Sequence, residues 1–373
     1  MSTQRRHFLL GSLAASAAVP LRAQEPQQIR VGFIGTGGRG TYLLKGTLAL
    51  PGVKVMAVCD TKPDRLDNAA TVAARDKPNT YSDWRRLIDR KDIDAIYIAT
   101  PCDLHVEMAL AALQAGKHIY CEKPIGVTPE SVNALWRAGK DAKTVFQTGL
   151  GSRSNARNRT VIQKIHEGVA GKVVMIRAQR TAGEDLDHNG RSADWFFFAK
   201  RSGDVIVEMA VHNLDVCTWI ANSRPDRASG VGGALVWPDS PPGRTNMDGY
   251  SVAYDYLNGV KLTFTQLFFH PYSMPGGGSG TSVYGTNGGV DLSSATYHPR
   301  GSKAAPVKLA EGSEARASQS DEHIEGFLRS IRTGEPTTAP LKVGCIGTLT
   351  AILGREAVYR KKVVTWADLG VDL

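Results

Sequence analysis

Short apolar runs alternate with amphipathic stretches through roughly the first 150 residues. Val31 to Ile34 is the first run, and Thr41 to Leu50 behind it reads as a helix. Val53 to Cys59 is the second run, closed by Asp60. Tyr81 to Ile88 predicts a short helix, and Asp92 to Pro101 a buried strand stopped by proline. Leu104 to Gln114 predicts a helix ended by Ala115-Gly116, and Lys117 to Pro124 another strand stopped by proline. Strands that alternate with helices in this way predict a parallel, doubly wound α/β sheet over residues 28–150.

From residue 151 the pattern changes. Arg159 to Glu167 predicts a helix, Lys172 to Thr181 an extended segment, and Glu208 to Asn222 a further helix. Apolar and aromatic runs then follow, separated by turn residues: Gly230 to Trp237, Tyr250 to Leu257, Val260 to Phe269, Thr281 to Gly285 and Gly289 to Ser293. Asn258-Gly259 between two of them is a hairpin signal. Met274 to Gly280 is a glycine-rich loop, and Glu322 to Thr333 and Val343 to Tyr359 predict closing helices. Residues 151–373 therefore read as a second unit, a mostly antiparallel sheet with a few helices.

The turn after the first strand, Gly35-Thr36-Gly37-Gly38-Arg39-Gly40, gives each glycine a physical role. Gly35 allows the tight turn, Gly37 lets backbone amides approach a pyrophosphate, and Gly40 lets the helix pack close to the strand. Asp60, about twenty residues on, is placed to bond the adenosine ribose hydroxyls and so favours NAD over NADP, with Lys62 keeping NADP open. Ligands of such sheets bind at the carboxyl ends of the strands. Thr100-Pro101 and Glu122-Lys123-Pro124 also fall at strand ends.

Lys123 at that position suits a substrate hydroxyl or carbonyl, favouring an alkoxide as hydride leaves. Glu122 is expected to orient nicotinamide ribose hydroxyls or the lysine itself. Glu208, His212 and Asp215 share one face of a continuous helix, where carboxylates hold a histidine ready to shuttle a proton. Trp195, Phe196, Phe197, Phe198 and Tyr272 read equally well as core or as sugar platforms, and Arg153 and Arg157 read as facing solvent in preference to an anionic substrate.

Composition narrows the classes. The formal charge is +9, but no lysine or arginine block is interleaved with aromatics, which argues against nucleic-acid binding. The five cysteines are widely spaced, with no Cys/His cluster for a metal. Residues 1–27 read as an export signal and linker: Arg5-Arg6 before Phe8-Leu9-Leu10, a short apolar run, and cleavage near Ala23. The paired arginines resemble a twin-arginine signal, which implies passage through that machinery to the periplasm. Nothing beyond it is long and apolar enough to predict a membrane span.

These residues together resemble the Gfo/Idh/MocA oxidoreductases, named for glucose-fructose oxidoreductase, inositol dehydrogenase and a rhizopine catabolism protein. The resemblance rests on Gly35 to Gly40, Asp60, Thr100-Pro101 with His105, Glu122-Lys123-Pro124, His212-Asn213-Leu214-Asp215 and the stretch His323 to Gly334. It implies an N-terminal Rossmann domain with Thr36, Gly38, Arg39 and His105 also at the cofactor, and, over residues 151–373, a C-terminal α/β domain with an open, mostly antiparallel sheet whose last helices pack back toward the first domain. It further implies a sugar or cyclitol site between the domains, and homo-oligomers formed through the open sheet. Lys123 and His212 become the proton-handling pair. The family often has Asp where this chain has Glu208, and Asp215 matches the His-x-x-Asp pattern.

The expected activity is hydride transfer between a sugar or cyclitol and a tightly bound nicotinamide. An exported protein is not expected to meet a free nicotinamide pool, so the cofactor must be regenerated in place, one route being two sugars that react in turn, one oxidised and one reduced. That brings in a second reading, an NAD-dependent glycosidase working by transient sugar oxidation and elimination. A third is a non-catalytic nucleotide- or sugar-binding protein.

Overall fold

The structure is a computed structural model that describes residues 28–182, 195–301, 303–311 and 316–373, with the side chains of 316–321 left aside. The expected export signal lies outside the described residues. Among those residues no helix is long and apolar enough to cross a membrane.

The first half holds strands β1 (Ile29–Ile34), β2 (Val53–Cys59), β3 (Asn79–Tyr81), β4 (Ala95–Ile98), β5 (His118–Cys121) and β6 (Phe146–Thr148). Helices α1 (Gly38–Leu48), α2 (Pro63–Val72), α3 (Trp84–Ile88), α4 (His105–Gln114) and α5 (Pro129–Gly139) connect them. The strands form one sheet in the order β3-β2-β1-β4-β5-β6, every pairing parallel. This is the doubly wound order whose switch point lies between β1 and β4. Val31, Phe33, Ile96, Tyr97 and Ile98 are buried, as strands covered on both faces require.

Two expectations shift here. The first helix begins at Gly38 rather than Thr41, so the second half of the glycine turn is itself the first helical turn. The stretch Tyr81 to Ile88 divides, because Tyr81 pairs with Cys59 in the sheet while Asp83 caps the helix by accepting from the Arg85 amide.

The second half holds α6 (Ala156–His166), β7 (Val173–Thr181), α7 (Ala199–Ser202), α8 (Val205–Glu208), α9 (Val211–Ala221), β8 (Pro225–Gly233), β9 (Gly249–Tyr256) and β10 (Lys261–Leu267). It continues with β11 (Ser279–Gly285), β12 (Gly288–Asp291), β13 (Thr296–Pro299), β14 (Val307–Lys308), α10 (Arg316–Thr333), α11 (Leu341–Tyr359) and β15 (Val364–Thr365). Their sheet runs β14-β13-β12-β11-β7-β10-β9-β8-β15. Strands β7 and β10 pair in parallel, and the other pairings are antiparallel. Alternation sorts its faces. Ile176, Leu262, Phe264, Val252, Tyr254 and Val283 are buried inward, while Arg177, Thr263, Ala253 and Ser229 stand in register on the other face. The Asn258-Gly259 turn joins β9 to β10, with Gly259 at φ +91°.

Helix α10 returns to the first domain. Its Ile324, Phe327 and Leu328 are buried with Leu43, Leu44, Tyr97 and Tyr120. Phe327 meets Tyr97 and Tyr120 edge-on at 5.5 and 5.8 Å, and Phe33 stacks on Tyr97 at 4.4 Å. The aromatic core under the nucleotide half is thus completed from the far end of the chain.

Candidate active site

A cleft of about 1190 Å³ opens at the carboxyl ends of β1, β2, β4 and β5 and is walled on its other side by the second half. Gly35, Gly37, Gly38, Arg39, Asp60, Thr100, Pro101, His105, Glu122, Lys123, Glu208 and His212 all line it. Thr36 and Gly40 lie buried just behind the wall.

The glycine turn is sterically fixed at two points. Gly35 sits at φ +83° with the Ala99 carbonyl 2.7 Å from where a Cβ would stand. At Gly40 a Cβ would fall 1.9 Å from the Gly35 oxygen. Gly37 precedes α1 without a side-chain cap, and the first turn carries no acid. The amide groups at this helix start are therefore suited to an anion. Asp60 accepts from the Thr36 amide at 2.8 Å and from the Lys62 amide at 3.0 Å, so it pins the turn to β2 while still lining the cleft. A carboxylate oxygen has more than one lone pair, so these bonds leave capacity for ribose hydroxyls. The geometry fits a dinucleotide: backbone amides for a diphosphate and a carboxylate for the ribose.

Glu122 is enclosed and bonded to Arg39, whose Nε donates to Oε1 at 2.7 Å. Burial opposes its charge, but Arg39 and then Lys123 outweigh this and hold the carboxyl below its ordinary range. The Lys123 amide donates to Oε2 at 3.2 Å, whereas the ammonium of Lys123 points elsewhere. Glu122 thus orders the glycine turn against the β5 loop and does not orient the lysine side chain.

His105 ties the two strand-end loops together. Its Nδ1 lies 2.7 Å from the Pro124 oxygen and its Nε2 lies 2.9 Å from the Thr100 oxygen. It is buried, and burial lowers its pKa. This histidine holds Thr100-Pro101 and Lys123-Pro124 in one arrangement.

Lys123 reaches the second half. Its Nζ donates to Glu208 Oε1 at 2.8 Å and to the Glu208 backbone oxygen at 2.6 Å. The side chains of Lys123 and Glu208 are 14% and 13% exposed, enclosed enough for the charge pair to matter. The expected single helix over Glu208 to Asn222 is corrected: α8 ends at Glu208 and α9 starts at Val211. Glu208 closes one helix and His212 opens the next, so both reach the cleft without the regular i, i+4 spacing.

Asp215 requires a second correction. It does not line the cleft and is 1% exposed. Both its oxygens are taken by Arg153, at 2.8 and 2.9 Å. Three residues along a helix leave it about 60° around from His212, enough to turn it into the interior. Arg153 and Arg157, read as solvent-facing, are largely buried; Arg153 also lies over the Trp219 ring, and Arg157 donates to the Ser293 oxygen. One buried carboxylate, Asp215, holds Arg153 and a backbone carbonyl holds Arg157, long-range pairings that leave no local pattern.

The aromatic cluster resolves residue by residue. Phe197 is core, Tyr272 is 72% exposed, and Trp195 and Phe196 line the cleft. Residues not singled out in the sequence also line it, among them Arg65, Asn158, Arg180 and Arg201. Arg65, whose guanidinium comes within 3.2 Å of a Cβ built at Gly37, follows Asp60 by five residues; the α2 segment bearing it offered the available signal. All five cysteines are buried free thiols.

Comparison with known proteins gives a consistent picture. The family model for the oxidoreductase family with an NAD-binding Rossmann fold matches residues 29–150, and that for the GFO/IDH/MocA C-terminal domain matches residues 158–291. A glycosyl hydrolase family 109 protein of Saccharopolyspora erythraea is 38% identical over 159 residues, 40% of this chain and 34% of that protein. A levoglucosan dehydrogenase of Pseudarthrobacter phenanthrenivorans is 32% identical over 205 residues, 52% of this chain and 51% of that protein. The matches thus span about a third to a half of these relatives' length. A solved levoglucosan dehydrogenase in complex with NADH superposes with a TM-score of 0.77 at 22% identity, over 91% of this chain and 99% of that one. At that identity the likeness concerns the fold.

Proposed function

The chain belongs to the Gfo/Idh/MocA oxidoreductases, and on that premise we propose that it transfers a hydride between a sugar or cyclitol and a nicotinamide cofactor, NAD in preference to NADP. The observation that carries this reading is the Lys123–Glu208 contact at 2.8 Å, in the same cleft as His212, Asp60 and the glycine turn. When bound, the cofactor supplies the hydride acceptor. The α1 amides, Asp60 and the Thr100-Pro101 loop are the groups to hold it. Lys123 stabilises negative charge on the substrate oxygen, Glu208 fixes the lysine's position, and His212 takes up or returns the hydroxyl proton. The test is to incubate the protein with NAD and a panel of sugars and cyclitols. Cofactor reduction supports the proposal; a complete absence of nucleotide binding overturns it.

A second reading, an NAD-dependent glycosidase, draws support from the glycosyl hydrolase family 109 relative. Release of a chromogenic aglycone without net cofactor reduction would favour it.

We also infer export in the folded state with the cofactor tightly held, from Arg5-Arg6 and the apolar run behind it. Mass spectrometry of nucleotide carried by periplasmic protein tests both points; nucleotide-free protein recovered there counts against retention. Self-association through the outer face of the large sheet is part of the same reading. That face carries Val231 and Tyr284, 72% and 41% exposed. A monomer in sedimentation equilibrium would refute it.

A further inference from the structure

We propose, resting on the oxidoreductase reading above, that Arg355 is a positioning residue for the reaction: it lies outside the cleft and sets the Lys123–Glu208 contact within it. Arg355 stands on α11, is 7% exposed and does not line the cleft. Its Nη1 donates to the Val127 oxygen at 2.8 Å and to the Gly203 oxygen at 3.0 Å. Val127 follows Lys123 by four residues in the segment that leaves β5. Gly203 stands directly before Asp204, which opens α8, and Glu208 closes that helix. One nitrogen therefore holds both backbones whose side chains meet in the cleft.

The paths from that nitrogen to the two side chains are short. On the lysine side the Ile125 amide donates to Thr348 Oγ1 at 3.0 Å, so α11 grips this segment at Ile125 as well as at Val127. On the glutamate side the Asp204 oxygen accepts from the Glu208 amide at 2.9 Å. Asp204 itself sits at φ +74° and ψ 163°, a region that residues with a side chain rarely occupy. Such a conformation persists only where the surroundings over-determine it, and it concentrates at functional sites. Here Asp204 is fully buried and its Oδ1 accepts from the Val205 amide at 2.5 Å. Its Oδ2 accepts from the Met247 amide at 3.1 Å and from the Tyr359 hydroxyl, which again comes from α11.

Packing alone does not call for an arginine at 355. A buried guanidinium is costly to desolvate, and an apolar side chain fills such a space without that cost. The planar fork suits a bridge instead. Nη1 spans two carbonyls from different halves of the chain, while Nε and Nη2 donate to Glu356 Oε1 at 3.3 and 3.0 Å and fix the plane.

The test uses the NAD-loaded full chain and the member of the sugar and cyclitol panel that it turns over best. Arg355→Met should lower kcat about tenfold or more while KM for the sugar and the Kd of NAD stay within about threefold. Arg355→Lys keeps the charge and reaches one carbonyl, so it should recover part of the loss. In a Lys123→Met background, Arg355→Met should change the residual single-turnover rate by less than about twofold, because the contact it sets is gone; a residue that only supports the fold would lower both rates alike. If thermal melts show that Arg355→Met does not fold, Tyr359→Phe takes its place. Tyr359 is 39% exposed, and loss of its bond to Asp204 should lower kcat about three- to tenfold. Crystal structures of the folded variants give a readout that needs no substrate, with Lys123 Nζ expected beyond about 3.5 Å from Glu208 Oε1. Unchanged kcat in a folded variant, an equal loss in the Lys123→Met background, or a Lys123–Glu208 contact still at 2.8 Å overturns the proposal. Failure of the wild-type protein to bind nucleotide at all is a different result, and it overturns the reading on which this one rests.

Discussion

Lys123 and Glu208 meet across the two halves of the chain, Nζ to Oε1 at 2.8 Å, with the same nitrogen 2.6 Å from the Glu208 backbone oxygen. The backbone contact holds the lysine whatever the side chain at 208 is; the carboxylate sets its electrostatic surroundings. Glu208→Gln should therefore keep substrate binding within about threefold while kcat falls about 10- to 100-fold, and Lys123→Met should lose about 100- to 10,000-fold. Steady-state kinetics that separate kcat from KM check this. A Glu208→Gln enzyme with unchanged kcat removes the carboxylate from the mechanism.

Asp215 and Arg153 make a different kind of pair. Removing one partner leaves a buried charge, so Asp215→Ala should cost about 3–5 kcal/mol in urea unfolding. Arg153→Ala combined with Asp215→Ala should cost less than the sum of the two single changes. Asp215→Asn should leave the pH dependence of kcat in place. A displaced pH profile would restore Asp215 to the proton-handling set.

The glycine turn offers a contrast between neighbours. Gly40→Ala forces a Cβ to within 1.9 Å of the Gly35 oxygen, whereas nothing lies within 4 Å of a Cβ at Gly38. Gly40→Ala should destabilise the protein by about 1–3 kcal/mol and weaken NAD binding at least tenfold. Gly38→Ala, at the helix start, should change stability by less than about 1 kcal/mol. Thermal melts and NAD titrations on both variants test the pair.

His323 makes stability depend on pH. It is buried, with Nδ1 2.9 Å from the Ser154 hydroxyl, and burial lowers its pKa to about 4 against the opposing pull of Glu122. The unfolded chain, with an ordinary histidine, binds the proton first. Stability is then fully present above about pH 6.5 and is lost as pH falls toward 4, by up to about 3 kcal/mol. His323→Gln should flatten this part of the curve. Chemical denaturation of both proteins between pH 4 and 7 checks it, and parallel curves would show that His323 does not titrate.

Much of the nucleotide half was legible because its signals are local. Gly35, Gly37 and Gly40 have steric reasons readable from spacing, and the buried strands are nearly continuous apolar runs. The second half was read more coarsely. Strands β13, β14 and β15 are too short to show a period; β13 and β14 pair with neighbours in the chain, and β15 exists through pairing with the distant Ala228 and Arg227. The site divided along the same line. The strand-end position of Lys123 was readable from the sequence and His212 was singled out through the family resemblance, but the Arg39–Glu122 and Arg153–Asp215 bonds join residues 83 and 62 apart. Periodicity put Asp215 near His212; a guanidinium arriving from another segment decided which way it faces.

The return of α10 has a consequence for synthesis. Phe327 closes the aromatic cluster built on Phe33, Tyr97 and Tyr120, and the strand bearing Tyr120 leads directly into Glu122 and Lys123. A nascent chain that has emerged only as far as β6 has all its nucleotide strands but exposes that cluster to water. Its nucleotide half can reach native burial only after residues beyond 320 have left the ribosome. Cofactor capture is then a late event, timed by α10 near the end of the chain and not by the glycines that open it.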